Sequence, residues 1–169
     1  FVGGSATENT YLGYLLGAKT YTLTGGYVPA SLAEIVLTDG CTAIPDNAFF
    51  ACSSVREIVL PEGVSVIGRR AFYGCERLAE ITLPDSVTEI TPYMFSWCSP
   101  LKSITVGNKV TDIGMYAFSN CEMLEKIELP DSMMKIDDLV FSGCFCFKGK
   151  WSDILITFLY LHFRKVNTV

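Results

Sequence analysis

The chain has 169 residues, half of them apolar, and a formal net charge of −5. This length allows one domain with a buried core, and the apolar content excludes a disordered polar segment. The acidic balance argues against a nucleic-acid partner, because nucleic-acid binders carry a basic patch that neutralises phosphates. The longest apolar run, Ile154–Phe163, is shorter than the roughly 20 residues of a membrane-spanning helix, so we expect no membrane span.

The N-terminal segment, residues 1–31, precedes a repeating array and is predicted to cap it. It carries four tyrosines that could cover the open end of the first repeat, since terminal repeats need such a cover. These are Tyr11, Tyr14, Tyr21 and Tyr27.

Residues 32–144 repeat with a period of 23 and without insertion or deletion. The second and third rows, for example, are VREIVLPEGVSVIGRRAFYGCER and LAEITLPDSVTEITPYMFSWCSP. A fixed period of this length predicts a solenoid in which each row is one coil, so we predict about five coils. The rows begin at Leu32, Val55, Leu78, Leu101 and Leu124.

Each coil is predicted to contain two short strands and a closing turn. In the third row, Ile81 and Leu83 alternate with the outward Thr82, which is the period of a strand with one buried face. Stacked coils place such strands side by side in a parallel sheet. A second apolar pair, Val64 and Ile67 in the second row, marks a second strand. The Ala-Phe-x-x-Cys segment then closes the coil as a turn or a single helical turn. The first strands are predicted at 35–37, 58–60, 81–83, 104–106 and 127–129.

The shared pattern L-x-x-I-x-L-P-x-x-V-x-x-I-G-x-x-A-F-x-x-C resembles the BspA-like leucine-rich repeat of bacterial and protozoal surface proteins. The resemblance covers residues 32–144 and implies a right-handed leucine-rich-repeat solenoid. Tyr11–Leu32 also resembles the segment that often precedes such arrays. The general leucine-rich consensus differs, because it wants Asn or Cys three residues after the strand. This chain has Gly40, Gly63, Ser86, Lys109 and Ser132 there, so no asparagine ladder is expected.

A cysteine ends the closing turn of every row, and metal binding, disulfide bonding, redox chemistry and packing are its candidate roles. Side chains in one column of a solenoid point the same way, so these thiols do not face each other as a disulfide requires. Zinc sites instead use pairs of ligands two to four residues apart. Cys41 stands in the column of Val64 and Val87, which indicates a small hydrophobe. We predict structural core cysteines at Cys52, Cys75, Cys98, Cys121 and Cys144.

Catalytic motifs are not found in the sequence. The one histidine, His162, lies outside the array, and no nucleophile elbow, zinc-protease, phosphate-loop or dinucleotide motif occurs. We predict a non-catalytic protein that uses no cofactor and no metal.

The outward side chains of the predicted strands form a candidate binding surface that is acidic and apolar in the first coils and mixed in the last. The glutamates stacked on neighbouring coils repel each other mildly. An ordinary solvent-exposed face is therefore the alternative interpretation to a ligand-binding patch. The candidate residues are Glu34, Val36, Arg56, Glu57, Val59, Glu80, Thr82 and Lys126.

A second candidate surface surrounds the closing turns. Trp97 stands in a column of small residues such as Gly74, and a large aromatic at an exposed turn is a candidate binding hot spot. Lateral packing on the neighbouring coil is the alternative interpretation. Its neighbours on this surface include Arg69, Arg70, Tyr73, Tyr93 and Tyr116.

The C-terminal segment, residues 145–169, leaves the register after Cys144. Phe147 and Lys150 stand where the period calls for leucine and isoleucine. The segment is either a cap on the last coil or a truncation or frame-shift scar with no selected structure.

The resemblance implies a non-catalytic protein-binding or adhesion module of a secreted or cell-surface protein, which we expect to be monomeric. Its expected partners are protein ligands, such as host matrix or other cell-surface proteins. A structural spacer that holds other domains away from the cell surface is the alternative function.

Overall fold

The computed structural model describes residues 31–146, which form five stacked coils of 23 residues. The predicted cap and tail lie almost wholly outside the described residues, and so does His162. We number the coils 1 to 5, and each begins at the first residue of a repeat row. The strands are β1 Glu34–Val36, β2 Ala43–Ile44, β3 Glu57–Val59, β4 Val66–Ile67, β5 Glu80–Thr82, β6 Glu89–Ile90, β7 Ser103–Thr105, β8 Asp112–Ile113 and β9 Lys135–Ile136.

All strand pairs are parallel and join residues one period apart. Ile35 pairs with Ile58 and Ile81 pairs with Ile104, so the buried residue of each first strand stacks on its equivalent. The first strands pair as β1–β3 and β5–β7, and the second strands pair as β2–β4 and β6–β8–β9. The predicted parallel solenoid of leucine-rich-repeat type is confirmed.

The first strands begin one residue earlier than predicted. β5 runs from Glu80 to Thr82, with the buried Ile81 at its centre and exposed residues on both sides. Leu83 is buried as predicted but lies just beyond the strand. The sequence therefore predicted correctly which of these residues are buried, and the hydrogen-bonded strand lies one residue earlier than predicted.

The predicted strand at 127–129 is wrong, because the structure has no strand between Leu124 and Pro130. Ile127 is only half-buried there, so the inward contact that holds the other first strands against the core is incomplete. The neighbouring side chains of Lys126 and Glu128 pair with each other at the surface.

The Ala-Phe-x-x-Cys segments form the third side of each coil as turns, and residues 31–146 contain no helix. Their backbones bond from coil to coil, and we call this set of hydrogen bonds the turn ladder. For example, the Phe72 amide donates to the Met94 carbonyl at 3.0 Å and the Gly74 amide to the Ser96 carbonyl at 2.9 Å. Each turn has two residues with positive φ, four positions apart. They are Asn47 and Ala51, Arg70 and Gly74, Tyr93 and Trp97, Tyr116 and Asn120, and Leu139 and Gly143.

A column of stacked phenylalanines runs through the core beside these turns. Successive ring centroids lie 5.2 to 5.7 Å apart with interplanar angles of 13° or less. All five rings are buried. Identical residues one period apart thus fix the position of each coil on the next. The members are Phe49, Phe72, Phe95, Phe118 and Phe141.

The two strand stacks are both interrupted between coils 2 and 3. Within residues 31–146, β3 is not paired with β5 and β4 is not paired with β6. The Thr91 hydroxyl donates to the Gly68 carbonyl across this junction at 2.9 Å. At the next junction the Gly114 amide donates directly to Ile90 at 2.8 Å. We call the junction between coils 2 and 3 the seam. It is held on the third side by the turn ladder and the phenylalanine column.

Candidate functional site

The outward residues of β1, β3, β5 and β7 form a continuous surface, which we call the strand face. The strand register stacks Glu34 on Glu57 in one column and Val36 on Val59 in another. The two valines are 57% and 41% exposed, so large aliphatic side chains stay in contact with water beside carboxylates. This combination supplies both apolar contact and charge to a partner.

A groove of about 440 Å³ opens on the strand face where the seam crosses it. Its walls come from β3 and β5, and Ser103 and Thr105 of β7 extend one side. The inward isoleucines of β3 and β5, Ile58 and Ile81, are among the lining residues. It is lined by Arg56, Glu57, Ile58, Val59, Leu60, Glu62, Ala79, Glu80, Ile81, Thr82, Pro84, Ser103 and Thr105.

Acidic side chains outnumber basic ones in the groove. Glu57, Glu62 and Glu80 line it, against one lysine or arginine, Arg56. All four side chains are exposed. None of these four side chains takes part in an ion pair within residues 31–146, unlike Lys126 and Lys135, which pair with Glu128 and Asp137. The groove therefore presents uncompensated carboxylates.

The structure brings together five of the nine predicted surface residues and separates the other four. Arg56, Glu57, Val59, Glu80 and Thr82 line the groove. Glu34, Val36 and Lys126 are exposed on the strand side of coils 1 and 5 but do not line it, and Trp97 lies on the turn side.

Sequence reasoning missed three polar groove residues, Glu62, Ser103 and Thr105. A signal for Glu62 exists, since its column also contains Asp39 and Asp85 in the neighbouring rows. The two hydroxyl residues belong to outward columns most of whose other members were selected.

Trp97 has φ of 64° and is 49% exposed. Its amide donates to the Ser119 carbonyl at 2.8 Å, so the backbone is fixed in the turn ladder. A left-handed backbone is unfavourable for a bulky side chain. Half of the indole ring remains available to a partner on the turn side.

The aromatic residues near Trp97 stack on each other rather than on it. The Tyr93 and Tyr116 rings are stacked with centroids 5.1 Å apart, and the Arg70 guanidinium lies 5.0 Å from the Tyr93 centroid. All three residues are half-buried. These contacts join coils 2, 3 and 4 and support the lateral-packing interpretation of this surface.

The column cysteines lie in apolar surroundings and are free thiols. The Cys98 thiol donates to the Phe72 carbonyl and the Cys121 thiol to the Phe95 carbonyl, both at 3.1 Å. Burial raises the pKa of Cys52 to about 12 and that of the half-buried Cys144 to about 11. These groups therefore stay protonated near neutral pH, where a thiolate would be the reactive form.

Residues 31–146 contain no group of three or more His, Cys, Asp and Glu side chains placed to hold a metal ion. In the same residues, no helix has the length and apolar character needed to cross a membrane.

Stacked coils of 23 residues, with short parallel strands on one side and an apolar column inside, define a leucine-rich-repeat solenoid. The chain belongs to the BspA type leucine rich repeat family, which residues 27–148 match in six copies. The resemblance inferred from the repeat pattern is thereby confirmed. Five copies were counted from the sequence, and the match begins before and ends after the predicted array.

Solved structures of bacterial leucine-rich-repeat proteins resemble this chain. A T. pallidum leucine rich repeat protein is 32% identical, with a TM-score of 0.67 over 69% of this chain and 56% of that one. A leucine rich cell surface protein from Faecalibacterium prausnitzii is 28% identical, with a TM-score of 0.54 over 69% and 38%.

A leucine-rich repeat protein from Eubacterium ventriosum shares the fold, with 20% identity and a TM-score of 0.54 over 74% of this chain and 41% of that one. The chain thus spans 56% or less of the length of these three proteins. No curated protein matches the chain.

Proposed function

We propose that this chain is a non-catalytic protein-binding module of a secreted or cell-surface protein, and that the strand face binds the partner at the groove. Membership of the BspA type family and likeness to a cell surface protein of Faecalibacterium prausnitzii support the setting. Host matrix proteins or proteins on neighbouring cells are the partners that an adhesion role requires.

The observation that carries the proposal is the groove at the seam. It combines exposed carboxylates with the exposed Val59 in a concave part of the strand face. A volume of about 440 Å³ falls in the range of ligand sites, which bury apolar surface around a few polar groups.

A spacer function is the alternative, and the stacked core favours it. The phenylalanine column and the turn ladder continue through all five coils, which would make the array stiff along its length. Substitutions in the groove should reduce partner capture if the chain is a binding module and should have no such effect if it is a spacer.

Capture of partners from mucosal or matrix extracts tests the proposal, with the full chain immobilised. We expect the double variant Glu57→Lys, Glu80→Lys to capture much less of the bound partner, because it reverses two groove charges. The matched control is Glu76→Lys, Glu122→Lys, which makes the same charge change at two exposed positions of the turn side. Equal capture by both variants and the unchanged chain would contradict binding at the groove.

A further inference from the structure

We propose that the groove at the seam receives lysine or arginine side chains from an extended segment of the partner. This inference rests on the proposed function and adds the chemistry of the occupant. The groove is lined by Glu57, Glu62 and Glu80, and these carboxylates have no ion-pair partner within residues 31–146. A partner that carries cations would supply the missing charges, whereas an anionic partner would be repelled.

The backbone at the seam adds unpaired hydrogen-bonding groups. β3 is bonded to β1 and β5 to β7, but the facing edges of β3 and β5 are not paired with each other in the described part of the chain. Carbonyl oxygens along these edges, together with amide groups such as that of Leu60, are therefore left for other partners. Thr82, Ser103 and Thr105 bring hydroxyl oxygens to the same space. Ammonium and guanidinium groups carry several N–H donors and no acceptor, so they match the carboxylate, carbonyl and hydroxyl oxygens of this lining.

The apolar part of the lining fits the same side chains. Ile58, Val59 and Ile81 form part of the walls, and Val59 is 41% exposed. Lysine and arginine have aliphatic stems that pack on apolar surface while the charged head stays near polar groups. One groove with apolar walls and acidic neighbours thus suits a long cationic side chain better than a short polar or a purely apolar one.

The dimensions limit what enters. A space of about 440 Å³ accommodates a few side chains and excludes a folded domain. The partner therefore contributes a loop or an extended segment.

Binding of fluorescent peptides to the full chain, measured by anisotropy, tests the inference. The probes are three extended peptides of equal length, with Gly-Ser spacers and four lysines, four norleucines or four glutamates. We expect the lysine peptide to bind at least about tenfold more tightly than the other two. Its affinity should fall between about 50 mM and about 300 mM NaCl, because salt screens exposed charges.

Matched variants locate the site. Glu57→Gln and Glu80→Gln together keep the side-chain shape, so the fold is retained, and should weaken the lysine peptide about tenfold. Glu34→Gln removes a charge from the same column outside the groove and should weaken the lysine peptide clearly less than the double variant does, because Coulomb attraction falls with distance. Equal binding of the norleucine peptide, or an equal effect of Glu34→Gln, would overturn the inference.

The two proposals fail in different ways. If the lysine peptide does not bind but charge reversal at Glu57 and Glu80 still abolishes capture of a protein partner, the groove binds proteins and the cationic occupant is wrong. If neither assay responds to these residues, the groove itself is not a binding site.

Discussion

At Trp97 the backbone has φ of 64°, a conformation that costs an ordinary L-residue about 1–2 kcal/mol and costs glycine or asparagine much less. The equivalent positions contain Gly74, Asn120 and Gly143, which suit this backbone, and Ala51. The indole is half exposed, so the cost is not offset by complete burial in the core. The same backbone recurs in every turn and therefore belongs to the fold, so a role of Trp97 in binding stays a prediction.

Substitution of Trp97 separates the backbone cost from the side-chain contacts. Trp97→Ala and Trp97→Asn both remove the indole, but asparagine tolerates the left-handed conformation and already occupies it at position 120. We expect the asparagine variant to be more stable than the alanine variant by roughly 1 kcal/mol. Urea unfolding of the two variants measures the difference. Equal stability would show that this turn relaxes without cost.

The repeat period was enough to predict which residues are buried. Phe95, Cys98 and Ile81 were placed inside and Glu57 outside because every row repeats the same pattern, and one buried example fixes its whole column. The left-handed residues of the turns could not be predicted in this way. Their columns mix Asn, Arg, Tyr and Leu, which carry no common signal for positive φ.

At the scale of strands and turns, the sequence predicted the order of elements better than their hydrogen bonds. The first and second strands occur where the apolar pairs recur, and the closing segment is a turn. The seam was not predicted, because coils 2 and 3 have the same apolar pattern as the others. Whether two coils bond along a strand depends on small differences in separation that hydrophobic periodicity does not record.

Amide hydrogen exchange tests the seam. The Leu37 amide donates to Val59 at 3.0 Å and the Leu83 amide to Thr105 at 2.9 Å, whereas the equivalent amide of Leu60 has no backbone acceptor within residues 31–146. Exchange requires loss of such a bond, so we expect the Leu60 amide to exchange at least about tenfold faster than the other two. The two bonded leucines are the internal controls, since they occupy the same column in coils 1 and 3.

A similar comparison on the turn side checks that the seam is not simply a loose junction. The Phe72 and Gly74 amides cross from coil 2 to coil 3 with normal hydrogen bonds. They should be protected as strongly as the Phe95 amide, which donates to Ala117 at the next junction. Fast exchange of Phe72 together with Leu60 would mean that coils 2 and 3 separate completely.

At the scale of the whole molecule, each coil contacts its neighbours in the array. The phenylalanine rings stack from one coil to the next, and the strand pairs join residues one period apart. Stability in such an array is approximately a sum of terms for coils and for the interfaces between them. The groove is also a property of neighbouring coils, since residues of coils 2, 3 and 4 line it.

Removal of one complete coil tests this additivity. Deletion of residues 101–123 joins Pro100 to Leu124, and Leu124 then occupies the column of Leu101 because both begin a row. All inward residues of coil 5 stay inward, so we expect a folded, less stable array. Its urea m-value should be lower by roughly one-fifth, since the surface exposed on unfolding falls with the number of coils.

Deletion of residues 101–120 removes nearly the same length but shifts coil 5 by three positions, which moves its core residues out of their columns. Circular dichroism and urea unfolding of both variants decide the matter. Equal loss of structure in the two deletions would show that the coils are not interchangeable units and that coil 4 has a specific role in the fold.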